Sequence, residues 1–107
     1  MADSPATADP LLRQFAICTG RYSALVEHQW LVDGPASEGS AGVRDSLWTL
    51  AEAVAGPAEA AAAMGWRIDA KVAQRGLLDR AYFARDAAAE KRSAQLLQAC
   101  ADLIGQS

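Results

Sequence analysis

Residues 15–32 read FAICTGRYSALVEHQWLV, and this stretch decides the fold because it is apolar on two sides of one helix. At about 100° per residue, Leu11, Phe15, Cys18, Tyr22, Leu25 and Val26 gather on one side, with Leu12 and Trp30 at its edge. The opposite side carries Ile17, Gly20, Ala24 and Leu31, a stripe of small and aliphatic residues. A surface helix shows a single apolar stripe, so a second one requires a second partner. That partner is another helix of the chain or another molecule.

The flanks set the ends of this helix. Asp9 followed by Pro10 is a helix start, because the carboxylate accepts orphan N–H groups and proline at the first helical position gives up no hydrogen bond. Gly34 and Pro35 stop it near residue 33, the glycine by a left-handed cap and the proline by blocking continuation. The stretch DGPASEGSAG, 33–42, reads as a loop. A second helix is expected over 41–55, with Val43, Leu47, Leu50 and Val54 on one face and Trp48 beside it. Gly56-Pro57 closes it, and from Pro57 to Ile104 alanine dominates without a further proline, so helix is expected throughout. Breaks near Gly65 and residue 85 give pieces at 57–64, 66–85 and 86–104, with one long C-terminal helix as the alternative. Ala89, Ser93, Leu96, Leu97, Cys100, Leu103 and Ile104 share a face of the last piece. No strand-like alternation occurs. The expectation is an all-α, compact antiparallel bundle of three to five helices spanning residues 9–107, preceded by a flexible tail at 1–8.

Composition narrows the classes. A chain of 107 residues fits one domain, and its 51% apolar content excludes wholesale disorder. The net charge of −3 argues against nucleic-acid binding by the whole surface. No apolar run approaches the roughly 20 residues of a membrane span. The N-terminal MADSPATADP carries acids where a signal peptide needs cations, and two cysteines do not make a secreted framework, so a cytoplasmic location is the expectation.

Chemistry-bearing residues are sparse. His28 is the sole histidine, and adjacent Glu27 points about 100° away from it on a helix, so no metal constellation forms. Cys18 and Cys100 each sit at the centre of an apolar face, where cysteine behaves as a small hydrophobe. In an up-down-up-down bundle the two fall near the same end, which leaves a redox-sensitive bond open if their Cα atoms come within about 4–7 Å. Arg67, Lys71 and Arg75 form an i, i+4 ladder within residues 67–92, which carry seven basic and four acidic residues. Residues 1–56 carry three basic and seven acidic ones, so the two halves attract each other or the ladder faces an acidic partner. Phosphate-loop, dinucleotide, redox CxxC, zinc-protease and nucleophile-elbow motifs are all absent.

These readings predict a non-enzymatic protein–protein interaction module that self-associates, as a dimer, through Ile17, Gly20, Ala24, His28, Trp30 and Leu31. The alternative is a helical chaperone or adaptor that takes a partner helix in an apolar groove. A third is a small enzyme or redox-responsive protein that uses Cys18 and Cys100 or His28. No cofactor, metal or small-molecule ligand is expected.

Overall fold

The computed structural model describes residues 9–105. The predicted tail at 1–8 lies outside the described residues. Four α-helices follow one another: α1 (Pro10–Val32), α2 (Ala36–Val54), α3 (Ala60–Phe83) and α4 (Ala87–Leu103), with a 3₁₀ turn at Pro57–Glu59 before α3. No strand occurs among the described residues, and the all-α bundle expectation holds.

Asp9 caps α1 as its sequence implies: the Leu11 N–H donates to Asp9 Oδ1 at 2.9 Å, with Pro10 in the first turn. The helices run up, down, up and down. Gly20 therefore meets Arg67, and Glu27 meets Lys71 and Arg75, in parallel register along α1 and α3. The molecule measures 47 × 24 × 22 Å, about two helices across, and α1 occupies its middle.

Two expected boundaries move. Helix α2 begins at Ala36, so the expected loop of 33–42 shrinks to Asp33, Gly34 and Pro35. Ser37 Oγ donates to the Gly34 carbonyl at 2.6 Å, while Gly39 and Gly42 lie inside the helix with no neighbour within 4 Å of an added Cβ. Docking of Leu47 and Ala51 into the core carries α2 through glycines whose intrinsic cost is about 1 kcal/mol each. Likewise α3 passes through Gly65 without a break, because the surrounding alanines favour helix strongly enough to absorb one glycine. The break near residue 85 is present. There the Asp86 N–H reaches back to the Arg80 carbonyl, and Asp86 Oδ1 accepts from Ala89 N at 3.1 Å to start α4.

The core concentrates at the lower end of the bundle. Leu12, Phe15, Ala16, Cys18 and Tyr22 of α1 pack with Leu47 and Ala51 of α2, Ala63 of α3 and Cys100 of α4. Trp48 and Trp66 pack against this cluster and are roofed by cations, with the Arg67 guanidinium 4.6 Å from the Trp48 ring centroid and that of Arg13 5.4 Å from Trp66. Toward the upper end the buried polar side chains Ser23, His28, Ser37, Gln74 and Ser93 are interspersed with Ala24, Val26, Leu78 and Ala89.

Candidate functional site

Helix α1 has both apolar sides covered from within its own chain. On the small-residue stripe, α3 approaches so closely that a Cβ on Gly20 would overlap the Arg67 carbonyl oxygen and stand 3.0 Å from Ala70 Cβ. Ala24 is fully buried and Ile17 half-buried. Thr19 and Ser23 enter this packing because each hydroxyl donates to a carbonyl of its own helix, Phe15 at 2.7 Å and Thr19 at 2.9 Å. Of the six residues expected at a dimer interface, Gly20, Ala24 and His28 are thus interior, and Ile17 is partly so. Only Trp30 and Leu31 remain open, at 64% and 67% exposure. Substituting Ala24 with Glu would bury a charge, and the resulting loss of fold would say nothing about association.

The basic ladder is engaged within the chain. Lys71 Nζ stands 2.6 Å from Glu27 Oε2, and Arg75 Nη1 donates to Glu27 Oε1 at 3.1 Å. Arg75 Nε lies 3.6 Å from Asp79 Oδ1, an ion pair too long for a hydrogen bond. Arg67 lies against the Trp48 ring. The charge asymmetry between the two halves of the sequence is realised here as attraction between α1 and α3. Because Glu27 answers two cations in a partly shielded position, its contribution exceeds that of an isolated exposed pair.

Cys18 and Cys100 form a disulfide, with 5.5 Å between Cα atoms and both sulfurs buried. The bond ties the last turns of α4 to the middle of α1 across 82 residues of sequence. Two further contacts run parallel to it: Tyr22 Oη donates to the Leu97 carbonyl at 3.3 Å, and Arg21 Nη1 approaches the Leu96 carbonyl at 3.5 Å and Cys100 Sγ at 3.4 Å. Burial, then repulsion from Arg92, pushes the Arg21 guanidinium below its ordinary value, and burial raises the Tyr22 phenol. Both Cys18 and Cys100 are held in this bond, so neither is a free thiol in this arrangement.

The upper end is built differently. Between the end of α3 and the start of α4 lies a cleft of about 670 Å³, with Leu78, Ala81, Ala94 and Leu97 as apolar walls and Arg85, Asp86 and Glu90 among its charged lining. Small residues face each other where larger ones would close the helices together. His28 and Ser93 also line it and are 7% and 4% exposed. The His28 ring meets the Tyr82 ring edge-on at 5.4 Å between centroids, and its buried Nδ1 has no hydrogen-bond partner among the described residues. Burial, then the charge of Arg75, holds the imidazole below its ordinary value, with Asp79 pulling the other way. Arg85 adopts φ of 54°, a left-handed conformation that costs a non-glycine residue about 1–2 kcal/mol.

Tyr82 continues into Phe83, ring centroids 5.0 Å apart and nearly perpendicular, and these residues are 54% and 63% exposed. Since α1 and α3 are parallel, Trp30 and Leu31 finish at the same end. Sequence reasoning missed both the cleft and Tyr82–Phe83. The one available signal was alanine at facing positions of α3 and α4, which reads equally well as helix propensity. No group of three or more potential metal ligands occurs among the described residues, and no described helix is long and apolar enough to cross a membrane. Comparison with protein-family models, curated proteins and solved structures gives no match for this chain.

Proposed function

We propose that the protein acts by non-covalent association, as a helical interaction module that pairs with a second copy of itself through the upper end of the bundle. The observation that carries this reading is that Trp30 and Leu31 at the end of α1, and Tyr82 and Phe83 at the end of the parallel α3, are each more than half exposed. Large aromatic side chains lose little conformational entropy on burial and dominate interface energetics. The small-residue stripe of α1 plays no part in the contact, because α3 already occupies it.

The buried Cys18–Cys100 bond supports an oxidising compartment over a reducing cytoplasm, since structural disulfides persist where thiol reductants are scarce. The cytoplasmic expectation rested on the N-terminal sequence and on two cysteines making no secreted framework, and the bond weighs against the second of these grounds.

Light scattering across a concentration series tests association. The wild-type chain is expected to shift from monomer to dimer, and the double variant Trp30→Ser, Phe83→Ser to stay monomeric with unchanged helical circular dichroism. A wild-type chain that remains monomeric at the highest concentration contradicts the reading.

A further inference from the structure

We propose that the cleft between α3 and α4 is a binding site for an organic amine, one with an apolar body and a protonated head group. The cavity of about 670 Å³ falls within the roughly 300–1,000 Å³ of small-molecule sites. Its walls, Leu78, Ala81, Ala94 and Leu97, suit an apolar body. Two polar side chains that line it are more than nine-tenths buried and incompletely satisfied. His28 makes no hydrogen bond through Nδ1, and Ser93 Oγ accepts from Gln74 Nε2 at 2.9 Å, which leaves it a second lone pair with which to accept an ammonium proton. Groups of this kind are expensive to bury without a partner, and retaining them beside an open cleft is what a recognition site requires.

Charge selects the head group. Asp86 and Glu90 contribute two carboxylates against the single cation of Arg85, and neither Glu90 nor Arg85 is in a salt bridge among the described residues. Asp86 is already committed to capping α4 through the Ala89 N–H, so Glu90 is the carboxylate free to meet an ammonium. The half-exposed Tyr82 ring supplies a face over which a cation is further stabilised. An anionic head would meet those two carboxylates with one arginine to offset them. This site goes beyond the pairing proposed above and shares Tyr82 with it.

Nuclear magnetic resonance titration with 2-(1-naphthyl)ethylamine, with 1-naphthylacetate as the same-sized anion, tests the proposal. The amine is expected to saturate and to shift the His28 ring and Ala94 methyl resonances. Glu90→Gln is expected to weaken it about threefold or more. Ala94→Phe, which fills the cleft from a solvent-facing position, should abolish the His28 shift while leaving the amide spectrum of α1 and α2 in place. Glu90→Gln lies on the exposed surface, so its result stands even if Ala94→Phe perturbs folding. Absence of saturation, equal or tighter binding of the carboxylate, or amine binding unaffected by Glu90→Gln overturns the assignment.

Discussion

The two ends of this bundle are made of the same four helices and behave as different materials. At the lower end, Leu12, Phe15, Leu47 and Ala63 close around a disulfide, and almost every buried atom is apolar. At the upper end, α3 and α4 stand apart over a cleft, and the polar His28, Ser93, Gln74 and Ser37 are buried alongside the apolar Val26, Leu78 and Ala89. The disulfide and the densest apolar packing lie below, and an open cleft with exposed aromatic side chains lies above. A binding protein gains from this division, because a rigid base holds an open end in place without requiring that end to be well packed.

Breaking the disulfide should have the largest effect. In the chain-entropy account, a crosslink over a sequence separation of 82 is worth about 4–5 kcal/mol at room temperature. The double variant Cys18→Ser, Cys100→Ser should lose most of that in urea unfolding, with both serines placed in an apolar setting. The unfolding midpoint of wild type in excess reductant should drop comparably once the buried bond has been reached through opening. An unchanged midpoint would mean that the core alone holds the lower end together.

Glycine substitutions sharpen the contrast by giving opposite signs for the same chemical change. Gly20→Ala drives a methyl group into the Arg67 carbonyl and is expected to cost about 1–3 kcal/mol. Gly39→Ala and Gly42→Ala meet nothing within 4 Å and should stabilise α2 by about 0.4–1 kcal/mol each, readable as a raised thermal midpoint. Equal effects at Gly20 and Gly39 would contradict the close approach of α1 and α3.

Acid probes the upper end with the smallest effect. The His28 imidazole is held below its ordinary value in the fold, so the unfolded chain binds the extra proton first as pH falls. Stability from this group is complete above the unfolded value of about 6.5 and is lost progressively below it. Thermal midpoints measured between neutral and mildly acidic pH should decline more steeply in wild type than in His28→Gln. Parallel curves would remove His28 from the account.

Much of the architecture is legible from the residues themselves. The two-sided pattern of α1 implied a helix covered on both sides, and Asp9-Pro10 marked its start to the residue. Which molecule covers the second side was not legible, since Gly20 and Ala24 permit close approach by any helix and only tertiary packing selects α3. The 33–42 stretch misled because its glycines and serines favour turns locally, while the hydrophobic face further along α2 pulls them into helix. The topology placed Cys18 and Cys100 near one another, but their 5.5 Å separation depends on helix rotation, which spacing does not encode. The cleft was invisible for a related reason: alanine stabilises a helix and vacates space at the same time, and sequence reveals only the first.

Native-state hydrogen exchange followed residue by residue tests the division between the two ends most directly. The account predicts the slowest amides around Phe15–Tyr22, Leu47–Ala51 and Leu97–Cys100, exchanging only through global unfolding. Faster exchange by local opening is expected from Leu78 through Ser93 around the cleft. Uniform protection along α3 and α4, or slower exchange at the upper end than at the disulfide, would contradict it.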